Sequence, residues 1–196
     1  MAPRPLSDRY LRSSVRCETE CPHRARRYAP QPLGPDQQFA SLSFDTHAEE
    51  IFPALTAGAL LVVVGADGAL PDELADGHGS GPTVLDLPTP YWHRLVDDID
   101  ALAWPEGLRL LILGADQVQQ TALARRQARF GSRVRVVNSY GPTETTVIAT
   151  AIALGPDDAA QRPPIGRPLS RATVTVRDAH GQLLPRGAAG VSRRRR

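Results

Sequence analysis

Four short apolar runs, spaced by helix-length segments, constrain this 196-residue chain more than any other feature. They are Ala59 to Val64, Thr83 to Leu87, Leu108 to Leu113 and Val134 to Val137. Each is strand-length and too short for a helix of ordinary size. Between them lie segments with helical spacing. Tyr91 to Leu102 puts Trp92, Leu95, Val96 and Ile99 on one side. Val118 to Phe130 ends at Gly131, a C-cap residue. Asp45 to Leu55 offers Asp45 or Thr46 as a cap, Glu49 and Glu50 in its first turn, and an apolar stripe of Ile51, Phe52 and Leu55. Pro53 makes that helix short or kinked. Strand and helix alternating in this way predict an α/β fold, a mostly parallel sheet layered with helices.

The pattern changes after Gly141. Val147 to Leu154 reads as a strand. Thr173 to Arg177 alternates with period two, and Asp178 to Gly181 forms a turn before Leu183 and Leu184. This is the start of a small antiparallel β unit. The organisation expected is residues 1–31 as a disordered or unrelated extension, 32–160 as the α/β core, 161–192 as a partial β-barrel unit and 193–196 as an arginine tail, with order beginning near Phe39. The segment from Gly65 to Pro82 reads as a loop with at most one helical turn.

Charge sharpens this division. All 23 basic residues are arginine, and none is lysine. Seven lie in residues 1–30 and four close the chain, so residues 31–192 hold 12 arginines against 18 carboxylates. The folded part is acidic, which argues against a nucleic-acid partner. The absence of lysine excludes a GxxxxGK[ST] phosphate loop. The longest apolar run is far below the ~20 residues of a membrane helix, and no secretory leader opens the chain. A cytoplasmic protein with no membrane partner is expected.

Most of the small constellations carry bland readings. Cys17, Cys21 and His23 are too few for a zinc site and read as free side chains. Gly77 to Gly81 fits neither the Rossmann fingerprint nor a nucleophile elbow. Trp92 and His93 read as core or surface residues, and Arg125, Arg126 and Arg129 as a solvated helix face.

Asn138 to Thr146, Asn-Ser-Tyr-Gly-Pro-Thr-Glu-Thr-Thr, is different. It follows a strand, where open α/β sheets bind ligands. Tyr140 can stack on a base, Thr143 can donate to a phosphate and Glu144 can hold Mg2+ beside phosphate oxygens. A plain polar turn remains the alternative on spacing alone.

The same stretch resembles the Tyr-Gly-Pro-Thr-Glu signature of adenylate-forming enzymes, specifically the amino-acid adenylation domains of nonribosomal peptide synthetases. Phe39 to Asp45, Glu50 to Leu55, Gly58 to Leu61, Leu108 to Gly114, Ile165 to Pro168, Asp178 to Gln182 and Gly187 to Gly190 are similar to further stretches of that family in the same order. The resemblance implies a two-step ligase. An amino acid and ATP give an aminoacyl-AMP and pyrophosphate, and the acyl group then passes to the phosphopantetheine thiol of a peptidyl-carrier protein. It implies ATP or AMP contacts at Gly114, Ala115, Ser139, Tyr140, Gly141 and Thr143, with Mg2+ on Glu144. It implies an amino-acid site in which Asp45 pairs with the α-ammonium and Thr46, Glu49, Asp86, Ile112, Gly114, Ser139, Val147 and Ile148 line the side-chain pocket. Asp45 and Glu49 share a helix face at i and i+4. Carboxylates buried without a cation are costly, so Glu49 and Asp86 imply a basic amino acid such as lysine or ornithine, unless Glu49 faces solvent.

The family's phosphate loop, ribose-binding aspartate, hinge and catalytic lysine have no counterpart in these residues. The expectation is therefore the middle of an adenylation domain from a truncated or frameshifted gene, inactive alone. The alternatives are a non-catalytic module that binds an amino acid or nucleotide or docks a carrier, and a nonfunctional product.

Overall fold

The computed structural model describes residues 35–64, 81–143, 147–169 and 172–194. The expectations for 1–31 and the cysteines, for most of the 65–82 loop, for the Gly77 to Gly81 motif and for Glu144 lie outside them, as do the last two arginines.

A seven-stranded sheet runs in the order β2-β1-β3-β4-β5-β6-β7. Its strands are β1 (Pro35–Gln38), β2 (Leu60–Val63), β3 (Val84–Pro88), β4 (Leu110–Gly114), β5 (Arg135–Tyr140), β6 (Thr150–Leu154) and β7 (Arg167–Pro168). The first five are parallel, and β6 and β7 join antiparallel. β8 (Val174–Arg177) and β9 (Val191–Arg194) form a separate antiparallel pair, after a turn in which Asp178 Oδ1 accepts from the amides of His180 and Gln182. The expected α/β class holds, and so does the second small antiparallel unit.

Among the described residues three helices connect the parallel strands: α1 (His47–Thr56), α2 (Thr89–Asp97) and α3 (Gln120–Phe130). Gly131 ends α3 at φ 56°, donating to Gln127 O, as its sequence position predicts. The alternation of side chains along a strand separates two faces. Leu85, Leu87, Leu111, Leu113 and Val136 point to one face and pack with Trp92, Leu95, Val96, Ile99, Leu123 and Phe130 into the main core. Val84, Leu110, Ile112, Val137 and Ala151 point to the other and form a smaller cluster.

Several local expectations need correction. β1 was not foreseen, because Pro-Asp-Gln-Gln has neither strand propensity nor an apolar face. β2, whose apolar run from Ala59 to Val64 suggests a buried strand, is an edge strand and largely exposed. Thr46 stands at the N-cap of α1 with no side-chain cap bond, so neither Asp45 nor Thr46 caps it. The apolar stripe of α1 faces outward: Phe52 is 36% and Leu55 56% exposed, while Ala48, Glu49, Glu50, Pro53 and Ala54 are buried. The helix runs through Pro53. On α3, Arg126 is buried, not solvated, and its Nη1 donates to Gly131 O (3.1 Å) and Gln127 Oε1 (3.0 Å) at the helix end. Arg125 does face solvent, paired with Asp97 at 3.0 Å.

Candidate functional site

The second sheet face, opposite the main core, gathers the chemistry. Asp86 pairs in register with Ile112, and Ile112 with Val137. Asp36 pairs with Val84. Period-two alternation therefore puts Asp36, Asp86, Ile112 and Ser139 on one face. α1 packs over it with its acidic side down. Together they form a cavity lined by Asp36, Gln37, Glu49, Glu50, Asp86 and Ile112, with Pro53, Ala54 and Val84. The cavity is small, near 20 Å³, room for about one water.

The cavity is unusually acidic. Glu49 is 3% exposed and Glu50 7%, which removes the reading of Glu49 as a solvent-facing residue. Burial pushes Glu50 up to about 7, with the neighbouring Glu49 adding to it, against the pull of hydrogen bonds from Ala40, Phe39 and Gln38. Burial also raises Asp36, opposed by the Thr83 hydroxyl (3.3 Å) and by the charge of Arg109. Among the described residues no group of His, Cys, Asp and Glu has the geometry to hold a metal ion.

Asp45 lies just before α1 and outside the lining of this cavity. Its Oδ2 is buried and accepts no hydrogen bond among the described residues. Three residues on, Ala48 packs against Val147 and Ile148. That cluster ties the start of α1 to the segment following the Tyr-Gly-Pro-Thr stretch. Val147 holds φ 59°, a left-handed conformation costly for a β-branched residue. The cavity itself takes Glu49, Asp86 and Ile112 from the sequence-predicted pocket. Asp45, Thr46, Gly114, Ser139, Val147 and Ile148 are not in its lining.

At the carboxyl ends of the strands, Ser139 Oγ donates to Leu113 O (3.1 Å), and Thr89 Oγ1 donates to Gly114 O (2.8 Å). A Cβ at Gly114 would stand 2.9 Å from Ser139 Oγ, so that hydroxyl would have to leave its bond to Leu113 O. Ala115 follows at φ 72° and is exposed. Asn138, Ser139 and Tyr140 belong to β5 itself; the sequence reading placed them in a strand-end loop. Asn138 Nδ2 donates to Pro164 O (2.8 Å). Tyr140, 45% exposed, ends the strand, and its carbonyl accepts from Ala149 N (2.8 Å). Gly141 lets residues 147–149 come close: a Cβ would meet Val147 O at 2.5 Å and Ala149 N at 2.6 Å. Thr143 is exposed beside it. Trp92 is core, as expected, and His93 Nε2 accepts from Gln119 N (3.2 Å) at the start of α3.

Sequence reasoning missed Asp36, Gln37 and Glu50. The only available signal was an excess of polar residues on either side of Phe39, and it points equally to a loop.

Comparisons place this geometry. Residues 17–191 match the family model described as AMP-binding enzyme. The isonitrile lipopeptide synthase of Streptomyces coeruleorubidus is 40% identical over 152 residues, which are 75% of this chain and 10% of that protein. Bacitracin synthase 3 of Bacillus licheniformis is 36% identical over 153 residues, 78% of this chain and 2% of that protein. The chain thus spans a tenth or less of these relatives. Among solved structures, holo-PA1221, an NRPS protein containing adenylation and PCP domains, superposes with a TM-score of 0.72 at 30% identity, over 81% of this chain and 28% of that one. The N-terminal subdomain of Klebsiella oxytoca NpsA matches in fold, with a TM-score of 0.69 at 19% identity, over 86% of this chain and 44% of that one. No helix among the described residues is long and apolar enough to cross a membrane. The chain belongs to the AMP-binding enzyme family, among the adenylation domains of nonribosomal peptide synthetases.

Proposed function

We propose that this chain forms the amino-acid-recognition part of an ATP-dependent amino-acid-activating ligase, and that its substrate has a cationic side chain. The observation that carries this is the acidic cavity. Glu49, Asp86 and Ile112, which the family resemblance assigns to the side-chain pocket, line it together with the unforeseen Asp36 and Glu50. A substrate ammonium, about the size of one water, would enter it and offset the cost of keeping these carboxylates out of bulk solvent. Asp45, with its buried and unmatched Oδ2, would accept from the α-ammonium. Thr46, Gly114, Ser139, Val147 and Ile148 would shape the rest of the pocket.

ATP would lie across the strand ends. Exposed Tyr140 offers a ring for the adenine, and Gly114 and Ala115 a flat backbone wall. Ser139 and Gly141 set the level of that wall, Thr143 would donate to a phosphate, and Glu144 would carry Mg2+. These residues bind and orient, which lowers the barrier through positioning and charge stabilisation. The chain has no lysine, so a cationic group acting on the phosphates beyond its arginines would come from other polypeptide. That favours a non-catalytic binding role for these 196 residues by themselves. The acyl acceptor would be the phosphopantetheine thiol of a peptidyl-carrier protein, in the cytoplasm. The division into an α/β core (32–160) and a partial barrel unit (161–192) goes with this reading, with β9 carrying the barrel unit on to Arg194, past the start of the expected tail (193–196), and the family match reaching back to residue 17, inside the expected extension (1–31).

The test is ATP–pyrophosphate exchange in an adenylation domain carrying residues 35–191 of this chain, with lysine, ornithine, leucine and phenylalanine offered in turn. Exchange driven by lysine or ornithine is expected. Preference for leucine or phenylalanine would refute the cationic substrate.

A further inference from the structure

Glu50 gathers donors from the end of β1. Its Oε2 accepts from Gln38 Nε2 (3.1 Å) and Phe39 N (3.1 Å), and Ala40 N reaches both oxygens, at 3.0 and 3.1 Å. These donors sit where the chain leaves β1. The side chain of Gln38 also donates to the carbonyl of Ala40, and the Phe39 ring packs on Tyr91, centroids 4.8 Å apart. Four residues separate Ala40 from Asp45, and they are spent on a turn closed by Phe44 N to Ser41 O (2.9 Å). Asp45 O then accepts from Ala48 N (3.1 Å) as α1 begins. Asp45 is therefore suspended between a carboxylate clamp on one side and the helix that carries the clamp on the other.

We propose that Glu50 is a positioning residue for amino-acid binding: its ionised carboxylate fixes residues 38–40 so that the turn presents Asp45, and protonation releases that grip. This rests on the reading that the amino acid binds at Asp45. A carboxylate offers only acceptors to three converging donors, whereas a carboxylic acid puts a hydrogen among them. Beside the clamp donors, the titratable groups that line the cavity with Glu50 are Glu49 from α1, Asp36 from β1 and Asp86 from β3, with Gln37 from β1 and Ile112 from β4. Arg109 acts on Asp36. Burial, with the charge of Glu49 adding to it, holds the proton up to about pH 7, and a cation entering the cavity would expel it. Affinity for a cationic amino acid should then rise with pH across neutrality.

Two readouts on this chain test the idea separately. Without ligand, the amide NMR signals of Phe39 and Ala40 should titrate together with a midpoint near neutrality. That titration should vanish in Glu50→Gln and move to lower pH in Glu49→Gln, which removes the like charge but none of the clamp bonds. With lysine as the probe, calorimetric affinity should be about tenfold weaker at pH 6 than at pH 8, the ratio of clamped populations for a group titrating near 7. The ratio should flatten in Glu50→Gln. Titrating amides with pH-independent lysine affinity would overturn the positioning role and leave the binding reading intact. Amides that do not titrate would overturn it even if lysine binds. No lysine binding at any pH would remove both.

Discussion

The two faces of the sheet treat their helices in opposite ways. α2 and α3 bury their apolar sides, with Trp92 fully enclosed and Leu85, Leu111 and Leu123 around it. Their charged residues, such as Arg125 and Asp97, meet at the surface, where an ion pair contributes little. α1 does the reverse, burying two glutamates and exposing Phe52 and Leu55. A helix that gives up apolar burial to enclose carboxylates is not optimised for stability. One face is packed for folding, and the other encloses carboxylates, the arrangement proposed above for recognition.

The largest test of that division removes one aromatic side chain from each face. Trp92→Ala should cost about 3–5 kcal/mol, enough to unfold much of the population in a urea titration. Phe52→Ala should cost below about 1 kcal/mol. Equal losses would erase the distinction.

Next in size is the pH dependence of stability. Glu50 and Asp36 hold protons more tightly folded than unfolded. Folding therefore takes up protons above the ordinary carboxylate range, and stability falls as pH rises towards about 7, by on the order of a few kcal/mol. Thermal midpoints should be higher at pH 5 than at pH 8, and Glu50→Gln should shrink the difference. His93, whose pKa burial lowers, adds a slope of opposite sign near its own titration. A midpoint that climbs steadily from pH 5 to 8 would mean that the acidic face carries no burial cost. The same proton would then weaken binding while favouring the fold, so affinity and stability should move in opposite directions with pH.

Two backbone changes sharpen the picture at the strand ends. Gly141→Ala forces a Cβ against the backbone of Val147 and Ala149 and should cost about 2 kcal/mol in denaturant. Ala115→Gly relieves a left-handed alanine and should stabilise the chain by about 0.5 kcal/mol, the smallest effect of the series.

How much of this was visible in the sequence depends on which face is considered. β3, β4 and β5 announce themselves as apolar runs because both sides of each are covered. α2 and α3 show their apolar stripes because those stripes enter the core. α1 also shows a stripe, at Ile51, Phe52 and Leu55, but periodicity reports where a stripe lies and not whether the fold buries it. Pro35–Gln38 gives no hint of a strand, since its residues take their places from β2 and β3 on either side. Arg126 reads as surface by type, yet α3 packs against the segment after β6 and the side chain is enclosed. The pocket residues Glu49, Asp86 and Ile112 could be named through family resemblance. Asp36 and Glu50 could not, because their role arises from strand register and from a turn that brings backbone amides onto a carboxylate.

The most direct test of the central claim compares lysine with norleucine, which share a chain length and differ in the terminal ammonium. Binding to this chain at pH 8, followed by calorimetry, should favour lysine by about tenfold or more, as expected for a charge-assisted contact in a buried site. Norleucine binding as tightly as lysine, or more tightly, would contradict an acidic face built for a cation.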